Sequence, residues 1–344
     1  MGYGRRMLFL LHLLSDAAGR VQRASVDTFF GLGSTFSLAS LLGALVLAVV
    51  VIAARRLRRR GRLSARLLLK ALWPRRAVLG ASGRADVGFF LLNTFSVGGL
   101  IGWALLSQGA VAVWTAKALA SLGPTPWPAT GAGPAFVTSL AMFLAYELAY
   151  WIDHWLCHNV PALWEIHKVH HTAQALSPLT NFRVHPLETL TFYNIAALFT
   201  GAAAGALDHL FGAGHGRAAL FGTDVLFLAF MFSVAHLHHS HVWIAFRGPW
   251  ARVLMSPAAH QVHHSTDPRH FGRNLGNALA LWDWLFGTLY VPAARREPLV
   301  FGVAGETGDV HSVTGSLITP VVRALHQMRP GARPPAPIAT RVTN

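Results

Sequence analysis

The sequence predicts an all-α integral membrane protein, a helical bundle of about four to five spanning helices with a histidine-rich helical cap on the cytoplasmic side. Three observations support this prediction. Of the 344 residues, 53% are hydrophobic and only 12% are charged, whereas a soluble domain carries about a quarter charged residues. Apolar runs long enough to cross a bilayer recur along the chain. The arginine block RRLRRRGR follows the first run at 55–62, and such blocks stay cytoplasmic.

Five apolar runs are candidates for the spanning helices. The first contains about 18 residues without a charge, which is enough to cross the hydrocarbon core. The stretch SLGPTPWPATGAGP at 121–134 is rich in proline and glycine and predicts a loop. The five runs cover residues 37–54, 87–107, 135–152, 189–207 and 218–235.

The arginine block also predicts the topology of these runs. The second run leads outward from the block, so the 121–134 loop lies outside, and the third run returns. The fourth and fifth runs form a hairpin, which places residues 154–186 and the chain from His236 onward on the cytoplasmic side. The net charge of +15 favours anionic lipid headgroups over nucleic acid as a partner, because the basic clusters flank apolar segments.

The chain is interpreted as one domain in three parts. Residues 1–130 form a membrane region with the arginine-rich loop, and residues 131–295 carry the histidine groups. Residues 296–344 are predicted to be a partly disordered tail, since the end from residue 328 is rich in proline. The single cysteine, Cys157, excludes an internal disulfide framework and a cysteine-rich zinc site.

Histidines are concentrated in groups with helical spacing. Sixteen of the 19 histidines lie between residues 154 and 270. His154 and His158 are one helical turn apart on the same face. The pattern H-x-x-H-H occurs at 167–171 and again at 260–264, and in a helix it brings three imidazoles together. Neutral imidazole is a ligand for zinc, copper, iron and nickel, so the spacing predicts a metal site.

The number of groups favours two metal ions over one. With His185 and the cluster HLHHSH at 236–241, the chain offers about ten imidazoles in five groups, more than a single ion needs. Within HLHHSH the sequence leaves open which histidine faces the metal. Isolated histidines are interpreted as ordinary core or surface residues, and these are His12, His209, His215, His311 and His326.

The motifs resemble the fatty acid hydroxylase/sterol desaturase superfamily over roughly residues 140–291. DHWLCH, LWEIHKVHH, NFRVHPLE, HHSHV and SPAAHQVHHSTD, followed by NLGNALALWDWLFGTLY, keep the order of the family's motifs. The resemblance implies a membrane oxygenase with two iron ions held by histidines at the cytoplasmic face, with zinc as a substitute on overexpression. By motif, the implied metal ligands are His154, His158, His167, His170, His171, His185, His239, His260, His263 and His264.

The resemblance also implies a function. The protein would use O2 to hydroxylate or desaturate an unactivated C–H position of a sterol, fatty acyl or isoprenoid lipid in the bacterial inner membrane. Its electrons would come from an external ferredoxin-type or cytochrome-type donor, because GAGPAF at 131–136 does not fit the dinucleotide fingerprint G-x-G-x-x-G. No catalytic residue beyond the metal ligands is predicted.

Two other functions are compatible with so many histidines. One is a histidine-rich membrane protein that binds or transports metal without oxygenase activity, although transporters place polar ligands within their spans. The other is a redox-inactive zinc protein that binds lipid. Carboxylates that orient ligand imidazoles would support a metal centre, and the acidic residues near the groups are Glu147, Asp153, Glu165, Glu188, Asp267 and Asp283.

Overall fold

The computed structural model describes residues 3–62, 64–72, 79–212, 214–306 and 309–330. Over these ranges the chain is mostly helical, as the composition predicts. The first part of the chain contains α1 (Tyr3–Phe30), α2 (Leu38–Arg58), α3 (Ala65–Leu72), α4 (Ala81–Leu92), a π-helical turn (Asn93–Val97), α5 (Gly98–Ile101), a 3₁₀ turn (Gly102–Ala104) and α6 (Gln108–Ala120).

The second part of the chain carries the histidine groups. It contains α7 (Ala132–Asn159), α8 (Pro161–His171), a 3₁₀ turn (Pro178–Phe182), α9 (Pro186–Phe211), strands β1 (Ala219–Leu220) and β2 (Thr223–Asp224), α10 (Val225–Met231), α11 (Ala235–His238), α12 (Trp250–Val253), α13 (Pro257–His263), a 3₁₀ turn (Pro268–His270), α14 (Leu281–Leu285) and α15 (Val313–Gln327). The strands pair antiparallel, with Leu220 opposite Thr223.

Among the described residues, three helices are long and apolar enough to cross a membrane, namely α2, α7 and α9. A fourth crossing is a pair of helical segments, Ala81–Val97 and Gly102–Ala120, bent by 66°. The sequence predicted one straight run at 87–107. The π-helical turn at Asn93–Val97 and the glycines that follow it break that run, because such turns interrupt the regular hydrogen-bond ladder.

The prediction of a fifth spanning helix over 218–235 is wrong. The first part of this run forms the β1–β2 hairpin, in which Phe221 and Gly222 have φ values of 50° and 78°. Two positive φ values at the turn are typical of a two-residue hairpin. The helix begins only after Asp224, whose side chain accepts a hydrogen bond from the backbone N–H of Leu226. The apolar helical segment that remains, Val225–His238, is too short to count as a span.

Contacts between segments define two ends of the bundle. The 121–134 loop lies at one end, where the backbone N–H of Trp127 donates to the carbonyl of Leu210 at 3.1 Å. Arg55, at the end of α2, donates to the carbonyl of Trp243, two residues after the HLHHSH cluster at 236–241. The arginine block and the histidines therefore share the other end, the histidine end, as the sequence predicts.

Close packing between α6 and α9 depends on small residues. A Cβ added at Gly201 would lie 2.6 Å from the Cβ of Val111, which is shorter than carbon atoms can approach. Glycine at this position therefore lets the second half of the bent pair lie directly against α9. Helix α9 also packs against α7, the helix that carries the first two histidines.

The C-terminal part contains a helix that the sequence analysis missed. Within the predicted tail, α15 packs along α8. Its buried positions are Ser316, Pro320 and Ala324, four residues apart on one face. Residues 331–344, which make up most of the proline-rich end, lie outside the described residues.

Candidate metal centre

A sharp corner between α7 and α8 brings the first two histidine groups together. His154 and His158 lie in the last turns of α7, and both are buried. Val160 ends α7 and also precedes α8, whose first residue is Pro161. Proline is favoured as the first residue of a helix because the backbone N–H that it lacks would have no partner within the helix. The chain therefore folds back within one residue, and α8 directs its H-x-x-H-H pattern at α7.

The second H-x-x-H-H pattern lies on α13. The hydroxyl of Ser256 caps this helix by accepting from the backbone N–H of Ala259 at 3.1 Å. His239 reaches the same place from the irregular segment directly after α11. Its Nε2 lies 3.0 Å from Nε2 of His260 and 3.2 Å from Nε2 of His170. Four separate segments thus converge on one buried volume.

The histidines form two groups, and within each group the possible ligand atoms all lie within 4.8 Å of one another. Every member is buried. The five-histidine group consists of His154, His158, His167, His171 and His263. The four-histidine group consists of His170, His239, His260 and His264.

Each H-x-x-H-H helix contributes to both groups, which makes the groups immediate neighbours. On α8, His167 and His171 belong to the five-histidine group and His170 to the four-histidine group. At α13, His263 belongs to the five-histidine group, and the other two histidines of the pattern belong to the four-histidine group. The rings of His171 and His264, one from each group, have centroids 4.7 Å apart. Nine of the ten histidines that the resemblance implies as ligands therefore lie in two adjacent groups.

His185 lies outside both groups, although the motif resemblance implied it as a ligand. Its Nδ1 accepts from the backbone N–H of Leu187 at 3.1 Å and so caps the start of α9. Its Nε2 lies 3.0 Å from the carbonyl oxygen of Leu317 in α15. Both ring nitrogens are engaged, so the structure gives His185 the role of joining α9 to α15.

The structure also shows how the HLHHSH cluster is used. His239 alone from this cluster is a member of the two groups. Nε2 of His236 lies 2.9 Å from the hydroxyl of Ser40 in α2. Nε2 of His238 lies 3.2 Å from the carbonyl oxygen of Met255, and its ring stacks on His260 with centroids 5.0 Å apart. His238 therefore packs against the four-histidine group from outside, whereas His236 joins the cluster to α2.

Several imidazoles of the five-histidine group are oriented by a hydrogen bond on Nδ1. Nδ1 of His154 lies 2.7 Å from the carbonyl oxygen of Leu275, and Nδ1 of His263 lies 2.9 Å from that of Arg273. An Nδ1–H donor leaves Nε2 with a free lone pair. Ligand histidines in metal sites are held in the same way.

The facing nitrogens support a bound cation. Among the residues that the structure describes, Nε2 of His154, His158 and His263 is buried and has no hydrogen-bond partner. Buried polar atoms almost always have a partner, so orphaned ones require an explanation. A metal ion in the middle of the group would satisfy all three lone pairs, and the residues present therefore fit a metal.

Burial keeps the ligand candidates outside the spanning helices in the neutral form. Burial lowers the pKa of His170 to about 3 and that of His263 to about 4. The pKa of His264 is lowered well below its usual range, chiefly by burial and then by the neighbouring histidines. At neutral pH these imidazoles present lone pairs, which is the form that binds a metal.

The loop after α13 is held by two buried carboxylates of the sequence-predicted set. Asp283 accepts from the backbone N–H groups of Leu275 and Gly276, both at 2.8 Å. Glu147 in α7 accepts from those of Ala278 and Leu279, at 2.8 and 2.9 Å. Asp283 thereby fixes the peptide whose carbonyl orients His154.

Comparison with known proteins agrees with this geometry. Residues 139–288 match the family model described as fatty acid hydroxylase. This region is a fatty acid hydroxylase domain. Over this region the chain is similar to the fatty acid hydroxylase/sterol desaturase superfamily, in agreement with its motifs.

Three curated proteins are similar to the hydroxylase domain and its surroundings. Alkylglycerol monooxygenase of Homo sapiens is 27% identical over 169 residues, which cover 48% of this chain and 33% of that protein. Alkylglycerol monooxygenase of Danio rerio is 24% identical over 170 residues, with the same coverage. Ornithine lipid hydroxylase OlsE of Rhizobium tropici is 27% identical over 185 residues, covering 53% of this chain and 49% of that protein. The chain thus spans a third to a half of these relatives, and no solved structure gives a significant match.

Two cavities reach the histidine groups from different sides, and each is lined by residues of the hydroxylase domain and of segments outside it. The inner cavity has a volume of about 500 Å³ and touches members of both groups, among them His154 and His239. The outer cavity has a volume of about 640 Å³ and touches only the five-histidine group, through His158, His171 and His263. The two cavities share no lining residue, so the histidine groups separate them.

Proposed function

We propose that the protein is a membrane-bound, O2-dependent lipid hydroxylase that works with two iron ions. The observation that carries this proposal is the pair of adjacent, buried, all-histidine groups, of which the five-histidine group has three unpartnered Nε2 atoms. The five-histidine group would hold one ion and the four-histidine group the other. Iron is the metal proposed, since imidazole ligands suit it and the family's relatives are named as monooxygenases and hydroxylases.

The overall reaction proposed is RH + O2 + 2 electrons + 2 protons → ROH + H2O. Bound iron would supply the reductive activation of O2, and the protein supplies geometry, burial and substrate position. Its own residues hold the imidazoles of His154, His167 and His263 through Nδ1, and burial shields both groups from water. Insertion of oxygen is favoured over desaturation, because each relative is named for adding oxygen to its lipid.

The inner cavity is the proposed site for the aliphatic part of the substrate. Its wall away from the histidines is largely aromatic and apolar, with Tyr146, Tyr150, Phe192, Phe227 and Phe230. Ligand sites are usually of this size and combine apolar walls with a few polar groups. Since the cavity lies against both histidine groups, a chain bound there would present one carbon to the centre. The proposed substrate is a membrane lipid with a polar head and a long alkyl or acyl chain.

Electrons are proposed to arrive from the outer side. The outer cavity is lined by charged residues, including Lys168, Glu306 and Arg323, and it approaches the five-histidine group where the substrate does not. The exposed arginines that end α2 lie at the same end of the bundle. An acidic ferredoxin or cytochrome would be attracted to this basic surface. The histidine end is proposed to face the cytoplasm of a bacterial inner membrane, because arginine-rich segments stay on that side.

The test is a comparison of product and metal in the same samples. Cells with the protein, cells without it and cells with the His170→Ala variant would be extracted, and their lipids compared by mass spectrometry. We expect one lipid class to gain a single oxygen atom only with the unsubstituted protein, and that protein to contain two iron ions. Loss of two hydrogens instead would show a desaturase. Bound metal with unchanged lipids, together with metal transport into vesicles, would favour the transport function.

A further inference from the structure

Helix α15 has an exposed apolar face. Ile318, Val322, Leu325 and Met328 are 62%, 49%, 57% and 70% exposed. Their spacing of four, three and three residues places them on one side of the helix. A patch of this kind on a helix surface marks an interaction site. The helix has 15 residues, which is too short to cross a bilayer.

The opposite face of α15 is fixed to the histidine end of the bundle. Lys168 of α8 binds Glu306, which also binds Arg323 of α15, both at 2.7 Å. The carbonyl of Leu317 lies 3.0 Å from His185, directly before α9. Val313 lies so close to α4 that a Cβ at Gly88 would be 2.6 Å from its methyl group. The first turns of α15 therefore pack against α4 at Gly88 and lie beside the start of α9.

The two helices that α15 contacts also expose apolar side chains. On α4, Val87 and Leu91 are 40% and 50% exposed, and the exposed Arg84 comes one turn before them. On α9, Leu187 is 41% exposed. Both helices enter candidate membrane crossings at these positions. Along α4 the exposed side chains change from arginine at Arg84 to apolar residues at Val87 and Leu91, which is the pattern expected where a helix enters a bilayer.

We propose that α15 is an interfacial helix that lies along an anionic phospholipid surface at the histidine end. Its apolar face would insert among the upper acyl chains, and Arg329 at its C-terminal end would meet acidic headgroups together with Arg84. Amphipathic helices that bind membranes in their plane have this distribution of apolar and basic residues. The net charge of +15 favours anionic over zwitterionic lipid as the partner.

The position of α15 has a consequence for the outer cavity. Val322, Arg323 and His326 form part of that cavity's wall, so one edge of its mouth lies beside the lipid interface. A membrane that holds α15 in place would therefore also hold the wall of the cavity over the five-histidine group. This inference does not depend on the proposed hydroxylation, because it rests on exposure and packing alone.

The test measures the distance of α15 from acyl chains in the full-length protein. Single cysteines at Ile318 and Leu325 would be labelled with bimane, and the variants reconstituted in nanodiscs whose acyl chains carry bromine. Cys157 is buried, and the unsubstituted protein gives the labelling background. We expect the brominated lipid to quench most of the bimane fluorescence at Leu325→Cys and Ile318→Cys. The control Arg269→Cys, at a position with a side chain 79% exposed, should keep its fluorescence.

The outcomes separate the lipid from other occupants of the face. Metal content equal to that of the unsubstituted protein establishes that each variant is folded. If one of the two α15 variants does not fold, the other still provides the measurement. Absence of quenching at both α15 positions overturns the proposal, as does efficient oxidation of Leu325→Cys to a disulfide between two copies of the chain. Quenching at Leu325→Cys should increase with acidic lipid and lose that increase in Arg329→Gln. A quenching signal independent of acidic lipid would overturn the headgroup assignment.

Discussion

Nδ1 of His167 lies 2.7 Å from Oε1 of Glu188, and the two side chains are only 5% and 11% exposed. The two residues come from different helices, α8 and the first turn of α9. The carboxylate accepts a hydrogen bond from Nδ1–H of His167. This orients Nε2 of His167 into the five-histidine group, where it lies 3.1 Å from Nε2 of His171. Such a carboxylate raises the basicity of a ligand imidazole and fixes its orientation.

Glu188→Gln is expected to weaken metal binding without unfolding the protein. The amide keeps the shape of the side chain but loses the charge that favours the Nδ1–H tautomer. Loss of an outer-shell partner typically costs about 10-fold to 100-fold in metal affinity, and competition with a chelator of known affinity would measure it. Glu297→Gln is the matched control, because Glu297 binds Tyr290 and the backbone of Ala293 instead of a group member. Equal affinities in the two variants would show that Glu188 does not act through His167.

Substitution of one histidine from each group should remove one ion at a time. His170→Ala changes the four-histidine group and His263→Ala the five-histidine group, so elemental analysis of each should find one ion instead of two. Lipid oxidation should be lost in both. The spanning helices, which do not depend on these side chains, should persist in circular dichroism spectra. Two ions retained in either variant would contradict the assignment of that group.

His185→Ala tests whether His185 is a metal ligand, as the motif resemblance implies, or a structural residue, as its contacts indicate. Because His185 caps α9 and contacts Leu317, we expect the variant to keep both ions but to lose about 1 kcal/mol of stability, the usual effect of removing a helix cap. Elemental analysis and thermal unfolding in detergent would measure the two effects. A variant that loses an ion and keeps its stability would restore His185 to the ligand set.

Arg183 and Asp86 form an ion pair in which both side chains are completely buried, with Nη1 of Arg183 3.0 Å from Oδ1 of Asp86. The same guanidinium donates from Nε to the carbonyl of Val169 in α8, at 3.1 Å. Asp86→Ala would leave a buried cation without its partner, which typically costs roughly 3–5 kcal/mol. A large decrease in the midpoint of thermal unfolding is expected. Arg269→Ala breaks the exposed pair with Asp267 and should leave the midpoint unchanged.

The parts of the centre that the sequence predicts are those with a local signature. Helical spacing places His154 beside His158 and brings the three histidines of each H-x-x-H-H pattern close together. Periodicity therefore predicts a metal site, whereas the set of ligands is what the motif resemblance implies. The carbonyls of Leu275 and Arg273 have no such signature, because every residue carries a carbonyl and only the folded loop aims these two. The sequence also does not show the orientation of the His185 ring. His185 lies in a motif that resembles the family's, yet its Nε2 faces the carbonyl of Leu317 in α15.

Hydropathy predicted the long spans and failed where turn geometry decides the structure. The run at 218–235 is as apolar as a span, yet positive φ values at Phe221 and Gly222 create a hairpin that hydropathy cannot detect. For α15 the tertiary contacts of Lys168 and Glu306 fix a helix in a region whose proline content suggested a tail. Local composition is thus a reliable guide to long apolar helices and a poor one to short elements held by distant partners.

The topology can be tested with two exposed positions at opposite ends of the bundle. Thr130 is exposed in the 121–134 loop and Arg269 is exposed at the histidine end. In intact cells, a membrane-impermeant thiol reagent should label Thr130→Cys and not Arg269→Cys, because the arginine block is proposed to stay cytoplasmic. Both should be labelled after lysis. Labelling of Arg269→Cys alone in intact cells would show that the orientation is the opposite of the one proposed.

Attachment of the C-terminal segment should depend on the charge of Glu306. Burial raises the pKa of this carboxyl group, but hydrogen bonds from Lys168 and Arg323 outweigh burial, so its pKa lies below the usual value of 4.5. A carboxylate with a lowered pKa contributes its full stability above the usual value and loses it as pH falls through the lowered one. Amide hydrogen exchange of α15, corrected for the intrinsic rate, should therefore accelerate below about pH 4.5. Glu306→Gln should exchange faster at neutral pH and lack this acid-dependent step, because it has no carboxyl group to protonate. An acid step of equal size in that variant would mean that another group controls the attachment of α15.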